Sequence, residues 1–162
     1  MRLKKKELEG KIGSKIVKVG LKYFGLAFLK EDLDFYLSTK LKDLFDEFED
    51  GLTVEDDHHA FIDRFRKDWS FISLIDRLFF MLERGKKYKL CALSLVVLLK
   101  NKLCYSKRGS WWHRLAMNLK HLKMKKEALT ACDLALKDAF VKDEKRNMIL
   151  KLRLGLFAEL NK

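Results

Sequence analysis

The stretch from Ser106 to Leu136 decides the fold of this chain, and it reads S-K-R-G-S-W-W-H-R-L-A-M-N-L-K-H-L-K-M-K-K-E-A-L-T-A-C-D-L-A-L. Apolar and small residues recur at helical spacing on its first half, at Trp112, Leu115, Ala116 and Leu119. After a basic turn the pattern resumes with Ala128, Cys132 and Ala135. The spacing therefore predicts two amphipathic helices joined by a short connection.

The same template recurs at a fixed distance along the chain. Ile75, Trp112 and Ile149 occupy equivalent positions, since 112 − 75 = 37 and 149 − 112 = 37. Cys91 and Leu98 precede Ala128 and Ala135 by the same 37 residues. Tetratricopeptide repeats are typically about 34 residues long and also pair two helices that meet through small residues. We predict an all-α fold, in which antiparallel helix pairs stack as a tetratricopeptide-like right-handed solenoid.

Composition supports this fold class and suggests an anionic partner. The 162 residues include no proline, which favours helices with short turns, and the formal net charge is +12. The three cysteines predict reduced thiols in an intracellular protein. The apolar run 16–29 is too short and too charged to span a bilayer, so no membrane is expected.

We divide the chain into a basic N-terminal segment, residues 1–30, and a helical-repeat domain, residues 31–162. Glycines at 10, 13, 20 and 25 predict that the first segment forms no long helix. It is interpreted either as a partly ordered terminus or as a basic arm that touches nucleic acid. Further helices are predicted over 31–50, from Thr53 towards Lys67, and over 144–160 with Asp143 as the cap.

The paired tryptophans also carry a family resemblance. The pattern Arg108-Gly109-x-Trp111-Trp112-x-Arg114-Leu115-Ala116-x-Asn118-Leu119 resembles a signature in the tetratricopeptide-like region of the Fanconi-associated nuclease family. Matching residues upstream are Phe61, Arg64, Phe65, Trp69, Arg77, Tyr88, Leu98, Leu99, Cys104 and Tyr105. The resemblance covers about residues 61 to 157. Relatives often carry a basic residue between the glycine and the first tryptophan, near a DNA phosphate, where this chain has the uncharged Ser110.

The resemblance implies a nuclear DNA repair nuclease that cuts 5′ flaps, trims DNA from 5′ to 3′ and helps to unhook interstrand crosslinks. Its expected partners are DNA with flap or branched ends, together with repair proteins. The family's nuclease domain would use Mg or Mn, held by an Asp and a Glu-x-Lys arrangement. We assign no such centre, no catalytic residue, no metal ligand and no cofactor to this chain. It is interpreted as a fragment or a truncated relative without the nuclease domain.

An uninterrupted basic run provides the candidate site. From Arg84 to Lys126 there is no Asp or Glu, whereas a solvated surface normally mixes both signs. We predict that this run binds DNA phosphates through Lys107, Arg108, Arg114, Lys120, Lys123, Lys125 and Lys126. Alternatively, the basic face docks on the acidic segment 31–63, or Arg114 is the structural partner of an acidic residue on a neighbouring helix. A third alternative is a repeat adaptor that binds a peptide.

Two other constellations have structural alternatives. Trp112 is predicted to be core rather than to stack on bases, and Trp111 either lines a groove or packs on the preceding unit. The acidic and histidine residues of 55–59 are interpreted as a solvated helix start, since consecutive residues do not converge on one metal ion.

Overall fold

The computed structural model of the protein describes residues 2–23, 33–51, 67–100 and 104–162. These ranges contain seven α-helices: α1 (Arg2–Tyr23), α2 (Leu33–Glu47), α3 (Lys67–Arg84), α4 (Tyr88–Lys100), α5 (Arg108–His121), α6 (Lys125–Lys137) and α7 (Asp143–Leu160). A 3-10 turn, Tyr105–Lys107, leads into α5. The predicted all-α fold is confirmed.

The helices pair and stack in the predicted register. Helices α3 and α4 form one unit, α5 and α6 form the next, and α7 begins a third. Helix α4 packs on α5 and α6 packs on α7, so that each unit rests on the one before it. The three equivalent residues Ile75, Trp112 and Ile149 are all buried. The 37-residue repeat is therefore a repeat of structure as well as of sequence.

Helix α4 lies at the centre of the stack. Every residue from Leu90 to Leu99 is buried, because α4 is covered by α2, α3 and α5, with a smaller contact from α1. A helix that is apolar on all sides needs such cover. Ser94, the one hydroxyl in this range, donates a 2.7 Å hydrogen bond to the carbonyl of Leu90 and is thereby satisfied.

The N-terminal segment differs from the prediction, because α1 is continuous through Gly10 and Gly13. Both glycines lie where α1 packs against α3 and the turn after it; a side chain on Gly10 would clash there, and one on Gly13 would be tight. A Cβ on Gly10 would lie 2.8 Å from the Cα of Gly85, and one on Gly13 would lie 3.3 Å from the Cβ of Met81. The glycines therefore permit close helix contact instead of interrupting the helix.

The ends of two further helices test the capping predictions. Helix α2 ends at Glu47, and Gly51 follows it with a φ of 79°, as the prediction of a terminating glycine requires. Helix α7 begins one residue earlier than predicted, with Lys142 as its N-cap and Asp143 inside the first turn. The predicted helix after Thr53, the segment 55–59, Gly25 and the side chain of Trp69 lie outside the described residues.

Candidate nucleic-acid interface

The guanidinium of Arg108 lies inside the protein at the start of α5. Its side chain is 0% exposed, and its Nε donates a 2.7 Å hydrogen bond to Oδ2 of Asp138, which follows α6. Its Nη1 donates to the carbonyl of Leu99 at 2.8 Å, and its Cζ lies 5.2 Å from the centre of the Phe48 ring. A buried, ion-paired guanidinium has no surface to offer a phosphate. The prediction that Arg108 is a phosphate ligand therefore does not fit this geometry.

The paired tryptophans join α5 to its two neighbours. Trp111 and Trp112 are both buried, and the indole N–H of Trp112 donates to Oδ2 of Asp138 at 2.9 Å. The N–H of Trp111 donates to Oδ1 of Asp76 on α3 at 2.6 Å. Trp112 is therefore core, as predicted, and Trp111 packs on the preceding unit. Neither ring has a free face on which a base could stack.

Two more of the predicted basic residues have carboxylate partners on α3. Lys107 Nζ lies 2.8 Å from Oδ2 of Asp76, and Arg114 Nε lies 3.2 Å from Oε1 of Glu83. The guanidinium of Arg114 also lies 5.7 Å from the centre of the Phe79 ring. The alternative in which Arg114 is a structural partner for an acidic residue of a neighbouring helix is confirmed.

The turn between α5 and α6, residues 120–126, retains an excess of positive charge. Lys120 and Lys125 share one carboxylate, with their Nζ atoms 3.4 and 3.1 Å from the two oxygens of Glu159 on α7. The hydrogen bond from Lys125 and the charge of Lys120 lower the pKa of Glu159. Lys123 and Lys126 are exposed, and no carboxylate of the described residues pairs with either of them. These two lysines are the predicted site residues that remain open to a phosphate.

Acidic partners from other helices reduce the basic character of the whole run. Two of them come from the acidic segment named in the docking alternative: Asp34 lies 2.8 Å from Lys89, and Glu47 lies 4.0 Å from Lys100. The other partners lie elsewhere, on α1, α3 and α7 and after α6. The docking alternative is thus correct for part of the run.

Some of this pairing had a signal in the sequence. Arg108 stands four residues before Trp112, so both share the helix face that carries Leu115 and Leu119 into the core. A basic residue on an apolar face indicates a buried partner. No sequence pattern identified the carboxylates that contact α5 and the turn after it, namely Asp138, Asp76 and Glu159. Each lies more than twenty residues away from the residue it contacts.

A polar cavity of about 300 Å³ lies between α3, the start of α4 and α5. Tyr88 and His121 stack over it with ring centres 4.6 Å apart, and Oδ1 of the buried Asn118 has no hydrogen-bond partner among the described residues. Burial, together with Lys145 and Arg114, lowers the pKa of His113 on the cavity wall. This shift favours the neutral imidazole over the charged form.

Two of the three thiols, those of Cys91 and Cys132, are buried, and burial disfavours their reactive thiolate form. Burial raises the pKa of Cys132 to about 12, and burial and the nearby Glu83 raise the pKa of Cys91 further. Among the described residues the three cysteines form no disulfide.

Within the described ranges, no three or more His, Cys, Asp and Glu side chains are grouped so that they could hold a metal ion. The sequence contains one Glu-x-Lys triplet, Glu9-Gly10-Lys11. Glu9 lies 3.3 Å from Arg84 of α3, so this carboxylate already has a structural partner. No described helix has the length and apolar character that crossing a membrane requires.

Comparison with known proteins gives a consistent result. Residues 30–154 match the family model described as Fanconi-associated nuclease 1, TPR domain. The chain is 31% identical over 94 residues to the Fanconi-associated nuclease 1 homolog of Dictyostelium discoideum and 34% identical over 92 residues to that of Caenorhabditis elegans. It is 35% identical over 74 residues to Fanconi-associated nuclease 1 of Danio rerio. No solved structure matches significantly.

These matches cover much of this chain and little of the relatives. They span 57%, 53% and 44% of the present chain, in the same order, but only 9%, 11% and 8% of the relatives. Helix α1 lies outside the region matched by the family model.

Proposed function

The chain belongs to the Fanconi-associated nuclease family, and we propose that it supplies the helical-repeat part of a DNA repair protein, where it binds and positions DNA through phosphate contacts. The nuclease activity that relatives are named for, with its Mg or Mn, is assigned to the family's nuclease domain and not to these helices. The proposed partners are DNA with flap or branched ends and other repair proteins. The proposed location is the nucleus.

The observation that carries DNA binding is the charge of the α5–α6 turn. Two carboxylates lie at this turn, Glu159 of α7 and Glu127 in the first turn of α6. They are outnumbered by four lysines: Lys120, Lys123, Lys125 and Lys126. The surface is therefore electropositive even after pairing. Exposed ion pairs contribute little to stability, so Lys120 and Lys125 can exchange Glu159 for a phosphate at small cost. A phosphate backbone gains from such contacts because each one releases condensed counterions.

The contacts involve charge and shape and not base edges, so binding should be independent of sequence. We would measure binding of fluorescent 5′-flap DNA by anisotropy across a salt series. The variant Lys123→Gln/Lys126→Gln should weaken binding to every sequence alike. Its salt slope should be shallower by about 0.7–0.9 for each phosphate contact that is lost.

A matched control removes the same charge elsewhere. Lys142 and Lys151 are exposed and lie at the start and in the middle of α7. Lys142→Gln/Lys151→Gln should therefore bind with nearly the affinity and salt slope of the original protein. If the α5–α6 variant stays folded, as judged by circular dichroism, and its affinity and slope are unchanged, this turn is not the DNA site.

A second candidate function rests on the polar cavity beside α5. Its wall carries Arg114, the unpaired amide oxygen of Asn118 and the stacked ring of Tyr88. Donors and acceptors of this kind can hold an extended peptide, as a repeat adaptor would. Peptide binding there should depend only moderately on salt, whereas binding to phosphates through the α5–α6 turn should fall steeply with it.

A further inference from the structure

The α3–α4 turn and the α5–α6 turn are the same structure repeated. The amide of Lys87 donates to the carbonyl of Leu82 at 2.8 Å, and 37 residues later the amide of Met124 donates to Leu119 at 2.9 Å. The shorter bonds repeat as well: Lys86 to Glu83 at 3.1 Å and Lys123 to Lys120 at 3.0 Å. This pair of bonds is the Schellman arrangement that ends a helix.

Both turns place a lysine where glycine is the usual residue. Lys86 has a φ of 57° and Lys123 a φ of 62°, so each lies in the left-handed region at the C′ position. In the first turn glycine is the preceding residue, Gly85. It is needed there for packing, since a Cβ on it would lie 2.6 Å from the Cα of Gly10. The residue with the left-handed backbone is therefore Lys86 and not Gly85. A lysine in this conformation has a steric cost, from its Cβ, that a glycine would not have.

The first turn is as rich in unpaired lysines as the second. Lys86 and Lys87 are exposed, and neither has a carboxylate partner within the described ranges. The opposing charge on this side is Asp34, which lies 2.8 Å from Lys89. Lys89 precedes Lys126 by the same 37 residues that separate Lys86 from Lys123. The repeat therefore presents cations at equivalent points of two successive units.

The two turns lie side by side along one edge of the stack. A single groove of about 240 Å³ is lined by Lys18 of α1, by Lys86 and Lys87 of the first turn, and by Leu122 of the second. Leu122 directly precedes Lys123, so the groove reaches from the lysines of the first turn to the residue next to Lys123. Helix α1 adds a further lysine at its wall.

From this repeated geometry we propose that Lys86 and Lys123, with Lys87 and Lys126 beside them, form one track that contacts several phosphates of a single nucleic-acid strand. The track rests on the proposed DNA-binding function and extends it to a second turn. Each phosphate that a lysine neutralises releases condensed counterions, so cations at equivalent points of two units should both add to the affinity. DNA should therefore run along this edge, across both turns, and not meet the α5–α6 turn alone.

The test compares Lys86→Gly, Lys123→Gly and the double variant in the full chain, with fluorescent 5′-flap DNA of mixed sequence in a salt series. At about 0.15 M salt, losing one phosphate contact should weaken binding about four- to fivefold and reduce the slope by about 0.7–0.9. The double variant should show the product of the two single effects. Because glycine suits the left-handed position, the unfolding midpoint of each variant should not fall.

Two further variants identify the cause of any change. Lys86→Arg keeps the charge and should keep the affinity. Lys142 is the exposed N-cap of α7, where glycine is also tolerated, so Lys142→Gly is a matched substitution away from the track and should bind normally.

The outcomes separate the track from the function on which it rests. If the original chain shows no salt-dependent binding, the proposed function is rejected together with the track. If Lys123→Gly weakens binding and Lys86→Gly does not, DNA meets one turn only, and the track is rejected while the function stands. If Lys142→Gly weakens binding equally, the effect is general electrostatic attraction, which also rejects the track.

Discussion

The two ends of α5 use positive charge in opposite ways. At its start, Arg108 is 0% exposed and held by Asp138 at 2.7 Å. At its end, Lys123 is exposed and faces solvent without a carboxylate among the described residues. Both belong to the basic run that contains no acidic residue of its own. Whether a basic residue of this run is buried in an ion pair or free to bind an anion therefore depends on its position along the helix.

The difference in burial sets the energies involved. An ion pair inside the protein leaves a strongly unfavourable charge if one partner is removed, whereas an exposed pair contributes little. Substitutions at the start of α5 should therefore unfold the protein. Substitutions around its end should alter binding and leave stability nearly unchanged.

The largest expected effect follows from breaking the buried pair. Asp138→Asn keeps the size of the side chain but leaves the Arg108 charge uncompensated, and it weakens the bond from Trp112. The free energy of unfolding should fall by about 3–5 kcal/mol. Denaturant titration monitored by circular dichroism would measure it.

Two comparisons make this result specific. Asp133→Asn removes a carboxylate from the exposed pair with Arg153 and should shift the unfolding midpoint very little. Adding Arg108→Met to Asp138→Asn removes the stranded charge and should restore part of the lost stability. If Asp138→Asn unfolds no more easily than Asp133→Asn, the start of α5 is not a buried ionic network.

The sequence predicted the repeat register because apolar spacing alone determines which residues face the core. Ile75, Trp112 and Ile149 were located in this way, and all three are buried. It did not predict the continuous α1, since the effect of Gly10 depends on which residue lies opposite. Nor did it distinguish Arg108 from Lys123, because the partners that neutralise the basic run come from distant parts of the chain.

The next effect concerns the bond between Trp111 and α3. Trp111→Phe retains most of the buried ring but removes the N–H that Asp76 accepts at 2.6 Å. Asp76 keeps its contact with Lys107, so the loss should be moderate, about 1–3 kcal/mol in the free energy of unfolding. A double-mutant cycle with Asp76→Asn would measure the coupling. Additive losses in that cycle would show that the bond contributes nothing.

The smallest effect on stability, and the sharpest contrast with Asp138, is expected at Glu159. This partly exposed carboxylate is shared by Lys120 and Lys125, and Glu159→Gln should leave the unfolding midpoint nearly unchanged.

Glu159→Gln should strengthen DNA binding, whereas the lysine substitutions described above should weaken it. Without the Glu159 carboxylate, Lys120 and Lys125 need not give up a partner before they meet a phosphate. One additional contact should tighten binding of 5′-flap DNA about four- to fivefold near 0.15 M salt and steepen the salt slope by about 0.7–0.9. Asp133→Asn is the matched control, because it frees Arg153 on α7 and should not tighten binding. If both variants tighten binding equally, net charge explains the gain. If neither does, the α5–α6 turn does not contact DNA.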